Sequence, residues 1–434
     1  MELPELFLDS MKALLGDEYD LWRQSLSRPV SRGVRFNPGK ASKDEILCLS
    51  EMLSAAGSVP WCSEGYYIPQ DVKASASPYY AAGLYYIQEP SAMAPAEILS
   101  SLSGDYVLDL CAAPGGKATR LGINAAFLLA NDISAARARA LVKNIELWGL
   151  CNAVVSAEAP EKLRDFYPCF FDKILVDAPC SGEGMFKKDP TLIRAWTERG
   201  PEYYHQIQKQ ILDSAFDMLR PGGYLLYSTC TFSELEDEGT VEAFLSEHQD
   251  MELIDIPGAQ EYGFRKGKGS ISAACRLYPF ALSGEGHFLA LMKKKGESLP
   301  RPERGYATVR HEDKLYRIFE DGAVYKKGLR YLKRGLCLGT YNRAGKFKPS
   351  QAAALALTKD DIVRGCAMVG ELEVKVVDLE ESDPRVLRYL KGETIEGDAD
   401  GNVLICLKGH PLGFGRGSGG RIRNDLPAGY VRDL

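Results

Sequence analysis

Apolar residues near the start of the chain fall at helical spacing. Leu3, Phe7, Met11, Leu14 and Leu15 share one face, and Gly16 stands where such a helix would end. A strand-like stretch, Arg32–Pro38, and an aromatic segment, Trp61–Tyr67, follow, so residues 1–86 read as a small α+β domain. From 87 to 295 the rhythm changes. Short β-type runs at Tyr106–Leu110, Phe127–Ala130, Ala153–Ser156, Lys173–Asp177 and Tyr224–Ser228 alternate with helix-period segments. One segment, Ser134–Trp148, opens on a serine suited to cap a helix, and another, Pro201–Leu219, on a proline suited to a first turn. This alternation predicts an α/β fold, a Rossmann-like doubly wound sheet that is mainly parallel and covered on both faces. Residues 296–310, with Pro300 and Pro302, read as a linker. The remainder, 311–434, holds short β-like runs at Leu336–Thr340, Glu373–Val377 and Val403–Leu407 and reads as one or two β-rich modules.

Composition narrows the class without naming a function. At 434 residues the chain should hold about two to four domains, and 45% hydrophobic with 26% charged residues is ordinary for a globular protein. Eleven cysteines without a CxxC pair point to free thiols in a reducing compartment, hence to the cytoplasm. The acidic start Met1–Glu5 offers no basic leader, and the apolar run Ala125–Ala130 is too short to span a bilayer, so no membrane role is expected. A net charge of −6 gives no global support for nucleic-acid binding. Locally the balance differs: residues 301–350 carry thirteen Lys/Arg against five Asp/Glu, whereas 351–400 carry six against twelve. A phosphate-binding surface would lie in the first of these; a solvated basic face is the plainer alternative.

The strand ends carry the chemistry. The first core strand runs into Asp109-Leu110-Cys111-Ala112-Ala113-Pro114-Gly115-Gly116-Lys117, where small residues and glycines let the backbone pass close to a ligand. The stretch is neither GxGxxG nor a P-loop, which favours a ligand without a pyrophosphate. The second strand ends at Asn131-Asp132, and Asp132 stands where an acid accepts hydrogen bonds from ribose hydroxyls; a helix cap is the alternative role. Glycine turn and acid together point to an adenosyl cofactor without diphosphate, and S-adenosylmethionine fits.

The fourth strand ends Asp177-Ala178-Pro179-Cys180-Ser181-Gly182, and the fifth ends Ser228-Thr229-Cys230-Thr231. Adjacent strands would set two thiols and a carboxylate over one crevice. A lone cysteine is usually a small buried hydrophobe, but two at cofactor-facing strand ends suit covalent activation of a pyrimidine. Carbon 5 of cytosine is a poor nucleophile until a thiolate adds at carbon 6, and an acid near ring nitrogen 3 would stabilise the charge that results. Carbon 5 then takes the methyl, a base removes its proton, and the thiol is eliminated. From the residues alone, either cysteine could attack.

These motifs, with Gln88-Glu89-Pro90-Ser91-Ala92-Met93 before the core and Gly284-Glu285-Gly286-His287-Phe288 at its end, resemble the Sun-type, RsmF-like RNA cytosine-5 methyltransferases. The resemblance is specific across about 87–295, and the tail His410–Gly415 resembles the PUA-like end of the ribosomal-RNA branch. It implies that Cys230 is the nucleophile, that Cys180 helps break the adduct, and that Asp177 contacts the cytosine or the cofactor's edge. It further implies that Cys111–Lys117 hold the methionine part of S-adenosylmethionine, with Lys117 at its carboxylate, and that Asp132 holds the ribose. The adenine-side aspartate of the family is missing from Ser156-Ala157-Glu158-Ala159, leaving Glu158 as its substitute or backbone groups in its place. Glu183, Lys187 and Lys188 stand as candidates for the RNA channel, with a solvated helix start as the alternative, and Arg35, Asn37 and Arg276 resemble family positions that shape the substrate cleft, with structural pairing as the alternative for each. Tyr79, Tyr80, Tyr85 and Tyr86 are either stacking or core residues.

The partner implied is RNA, ribosomal (16S) rather than transfer RNA because of the tail, free or in the assembled small subunit, with the enzyme a monomer. Two other classes stay open: a non-catalytic RNA-binding assembly factor on the same fold, and a small-molecule methyltransferase. Both thiols and Asp177 weigh against the first, and the basic stretch and C-terminal modules against the second.

Overall fold

The computed structural model describes residues 3–433. The amphipathic N-terminal segment forms the helix Glu5–Leu15, which buries Phe7, Met11, Leu14 and Leu15 and turns out at Gly16, φ 52°. Three short strands, β1 (Gly33–Phe36), β2 (Gly65–Tyr67) and β3 (Tyr85–Ile87), make an antiparallel sheet with β1 in the middle.

The core sheet is built from β4 (Tyr106–Asp109), β5 (Phe127–Asn131), β6 (Ala153–Ser156), β7 (Phe171–Asp177) and β8 (Leu219–Thr229). They are parallel, in the order β8-β7-β4-β5-β6, with the switch in direction of travel at β4. Their near-continuous apolar runs follow from burial on both faces. Ala138, Leu141 and Ile145 of the helix Ala135–Trp148 pack on one face, and Ile211, Leu212, Ala215 and Met218 of the helix Thr191–Met218 on the other. Each such leucine, isoleucine or methionine, removed from water, contributes about 2 kcal/mol. Ser134 caps its helix by accepting the Arg137 N–H at 3.4 Å. The long helix breaks at Gly200, φ 72°, so Pro201 starts a second leg, where its missing N–H is harmless. Strand His287–Lys294 runs antiparallel to β8 and sets His287 beside the end of that strand.

The C-terminal third is β-rich, as expected, with a four-stranded and a seven-stranded sheet. Its attachment is closer than a linker implies. Arg301 reaches Asp172 at 2.8 Å and lies 3.7 Å from the ring centre of Tyr106. The strand Tyr331–Arg334 then joins the core sheet, antiparallel to β6, with Tyr331 opposite Ser156. No described helix is long and apolar enough to cross a membrane.

Candidate active site

The carboxyl ends of β4, β7 and β8 open on a cavity of about 300 Å³. Asp109 ends β4, and the chain turns through Cys111–Pro114 to Gly115, whose φ of 117° lies in the left-handed region that favours glycine. At Gly116 a Cβ would lie 3.1 Å from Gln88 Nε2, so only glycine lets the loop meet that residue without crowding. The N-terminal domain holds this loop from behind. Buried Arg35 donates to the Gly116 carbonyl at 2.8 Å, to Thr119 Oγ1 at 2.7 Å and to Gln88 Oε1 at 3.2 Å. Asn37 donates to the carbonyls of Gly83 and Trp148 at 3.1 and 2.9 Å. Arg35 and Asn37 thus join two domains and do not line the cavity.

The charged groups are unevenly satisfied. Lys117 Nζ meets Asp177 Oδ2 at 2.7 Å, and Ser228 Oγ donates to Asp177 Oδ1 at 2.6 Å. Burial pushes the Asp177 carboxyl up, but Lys117, His287 and these hydrogen bonds outweigh it and hold Asp177 below its ordinary value. Burial works against the Lys117 ammonium too, and Asp177 more than offsets it, raising Lys117. Asp177 therefore stands as an ionised acceptor, not as a proton donor toward ring nitrogen 3. Asp109 is fully buried and neither of its carboxylate oxygens has a partner among the described residues. Burial, then the charge of Asp177, push it up to about 8.

Asp132 is buried at the end of β5; Oδ1 accepts the Ser134 N–H at 2.9 Å, and Oδ2, which has no hydrogen-bond partner, lies 3.4 Å from Arg137. Glu158 lies outside the cavity lining. Its Oε1 accepts Lys162 at 2.9 Å and also the backbone N–H of Arg330, just before the strand contributed by the C-terminal third. Asn131 ties these ends together, donating to the carbonyls of Leu110 and Glu158 at 3.2 and 2.9 Å.

The two thiols meet. Cys180 Sγ lies 3.3 Å from Cys230 Sγ, and Cys230 lines the cavity with Lys117 and Asp177. The hydrogen bond to Cys230, followed by burial, raises the Cys180 thiol well above its ordinary value, so Cys180 keeps its proton. A residue that the motifs do not single out fixes the pair. Buried Glu236 accepts the Ser181 N–H at 2.9 Å, the Ser181 hydroxyl, Gln208 Nε2 at 3.0 Å and Thr231 Oγ1 at 3.4 Å. Ser181 and Thr231 each follow one of the cysteines.

Other candidates have structural partners. Glu183 accepts Trp196 Nε1 at 2.8 Å and the Phe232 N–H at 3.0 Å, and Arg276 donates to Glu238 at 2.8 Å and to the Phe232 carbonyl at 3.0 Å. Lys187 turns to the Pro29 carbonyl at 3.3 Å, while Lys188 is exposed on the cavity rim. Of the four tyrosines only Tyr86 lines the cavity; Tyr79 and Tyr85 are buried, bonded to Glu381 and to the Ala74 carbonyl.

Fit to the cofactor follows from the unpartnered oxygens. Asp109, on the cavity lining, presents two unbonded oxygens suited to the ammonium and hydroxyl donors of S-adenosylmethionine, while Asp132, at the end of the adjacent strand, lies outside that lining with Oδ2 toward Arg137. Sheet and site together define an S-adenosylmethionine-dependent methyltransferase. Family models match nearly the whole chain: the 16S rRNA methyltransferase RsmB/F at 96–293, the N-terminal domain of RsmF at 3–90, its first C-terminal domain at 293–357, and its PUA domain at 376–432. The chain belongs to the ribosomal RNA small subunit methyltransferase F family. It is 30% identical over 485 residues to the protein of that name from Cronobacter sakazakii, covering 99% of this chain and 97% of that one. Against that from Erwinia tasmaniensis it is 28% identical over 480 residues, with the same coverage of 99% and 97%. Among solved structures, a methyltransferase homolog from Pyrococcus horikoshii superposes with a TM-score of 0.59 at 28% identity, covering 67% of this chain and 95% of that one. NSun6 from Pyrococcus horikoshii with SFG shares the fold, at a TM-score of 0.58 and 23% identity over 68% of this chain and 99% of that one.

Proposed function

We propose that the chain methylates carbon 5 of a cytosine in 16S ribosomal RNA through a covalent adduct on Cys230. The observation that carries this is the placement of Cys230 in the cofactor cavity with its sulfur 3.3 Å from Cys180 and with Lys117 and Asp177 beside it. S-adenosylmethionine supplies an electrophilic methyl group. Cys111–Lys117 hold its methionine part, Asp132 the ribose, and Asp177 the edge shared with the base. Glu158, itself held by Arg330 and Lys162, bounds the adenine side.

Cys230 adds to carbon 6 of the flipped base, which makes carbon 5 nucleophilic. Lys117, held protonated by Asp177, offsets the charge pushed into the ring. After transfer, solvent water takes the carbon 5 proton, the electrons of that C–H bond re-form the ring double bond, and the Cys230–carbon 6 bond breaks with its electron pair going to sulfur. Cys180 holds its proton next to the departing sulfur and assists that release.

Residues 1–86 and 311–434 supply contacts that position the RNA, the basic stretch 301–350 among them, and the enzyme acts as a cytoplasmic monomer on free RNA or on the small subunit. The test is transfer from labelled cofactor to small-subunit RNA, with the product nucleoside read by mass spectrometry. 5-Methylcytosine supports the reading. Cofactor binding without transfer to any RNA would instead support an assembly factor on this fold.

A further inference from the structure

One histidine in the cavity has a tautomer set by its neighbours. Glu89 accepts three backbone N–H groups: Ser91 and Glu285 at 3.0 Å on Oε1, and Ala92 at 2.9 Å on Oε2. The Ser91 hydroxyl also donates to Glu89 Oε2. Its only proton is thus spent on Glu89, and toward His287 Nδ1, 3.1 Å away, Ser91 presents a lone pair. Nδ1 must therefore carry the ring proton, which leaves Nε2 as an acceptor. That nitrogen has no hydrogen-bond partner among the described residues, and the ring lines the cavity beside Cys230. Asp177 also faces the cavity, but each of its oxygens already has a donor, Lys117 or Ser228. Asp109 belongs to the cofactor loop.

A cytosine differs from a uracil at position 4, where one carries an amino donor and the other a carbonyl acceptor. We propose that His287 is the specificity-determining residue for the base, its Nε2 accepting a hydrogen bond from the exocyclic amino group of the target cytosine. Ser91 and Glu89 are the positioning residues that keep that lone pair turned outward. Burial, and after it the charge of Lys117, push His287 down to about 4, so the ring stays neutral and accepts throughout the neutral pH range. Toward the uracil carbonyl the same lone pair is repulsive, and a site built to pair with a donor rejects the analogue without it.

The inference rests on the proposed methylation of cytosine. It is tested with RNA fragments that span the methylated position and differ only by cytosine or uridine there. Single-turnover transfer is compared for wild type, His287→Phe and Ser91→Ala. His287→Phe should slow transfer to cytosine by about 30-fold or more, and both variants should lower the cytosine-to-uridine preference, by about tenfold for His287→Phe and about threefold for Ser91→Ala. An unchanged preference in Ser91→Ala together with an unchanged or unfolded His287→Phe overturns the proposal. So does a His287→Phe enzyme that stalls as a methylated covalent complex, which would make the ring the base that removes the carbon 5 proton. No transfer by the wild type to any cytosine would sink the proposed function itself, and is told apart on that ground.

Discussion

Cys180 Sγ and Cys230 Sγ lie 3.3 Å apart, although 50 residues separate them in the chain. Parallel pairing of β7 with β8 brings the two strand ends level, with Asp177 opposite Ser228, and the loops that follow each strand carry the thiols inward. Cys230, on the cavity lining, thus lies against Cys180 because two strands end in register.

The roles of the two sulfurs separate by mutation. Cys230→Ala should lower methyl transfer by on the order of 10⁴ while leaving the dissociation constant of the cofactor within about twofold. Cys180→Ala should form the adduct and release it poorly, so that denaturing gels show enzyme retained on RNA. Retention by Cys230→Ala would reverse the assignment.

Glu236 should matter through the geometry of that pair. In Glu236→Ala the Ser181 N–H and Gln208 lose a buried acceptor, costing about 2 kcal/mol of stability. Diamide, which removes the two thiol hydrogens and joins the sulfurs, should link Cys180 to Cys230 at least about tenfold more slowly than in wild type. Glu236→Gln keeps an acceptor for both donors and should stay close to wild type, since burial already pushes Glu236 up to about 7. Equal linking rates in all three proteins would show that other contacts set the spacing.

Lys117 and Asp177 form a largely buried pair, 12% and 28% exposed, so removing one charge leaves the other uncompensated. Lys117→Met should cost about 2 kcal/mol in denaturant unfolding. Adding Asp177→Asn to it should recover part of that loss, although neither variant should be active. A double variant less stable than the sum of its parts would contradict the pairing.

Asp109 makes stability depend on pH. Burial and Asp177 push it up to about 8, against about 4 in an unfolded chain. Between those values the folded chain holds a proton that the unfolded chain has released, so stability falls as pH rises from about 4 to about 8. Unfolding of the cofactor-free protein at about pH 5 and about pH 8 should show a larger drop for wild type than for Asp109→Asn. Parallel curves would mean that Asp109 is ionised across the range.

Much of this was readable in the sequence, because strand ends announce themselves. Apolar runs at 106–110, 127–130 and 173–177 mark strands, and the residues just past them, Cys111–Lys117, Asp132 and Cys180, follow by position. Long-range partners leave no such trace. Nothing local in Tyr331–Arg334 tells that it pairs with β6, some 175 residues earlier, or that the Arg330 N–H reaches Glu158. Only the resemblance marks Arg35 and Asn37, and nothing local shows that they reach Gly116, Thr119 and Trp148 of the core domain. Ser91 and His287 stand within stretches that only the resemblance marks, and their relay exists only once the strand His287–Lys294 lies against β8. Glu236 stands in a run of acids after Cys230, and nothing local in that run signals that it is wholly buried.

A small-subunit RNA carrying 5-fluorocytosine at the target position tests the account most directly. Fluorine cannot leave carbon 5 as a proton does, so the adduct should persist after transfer. Peptide mapping should then place one methylated nucleotide on Cys230, and Cys230→Ala should show none. An adduct on Cys180, or methylated RNA without any protein adduct in the wild type, would contradict the proposed chemistry.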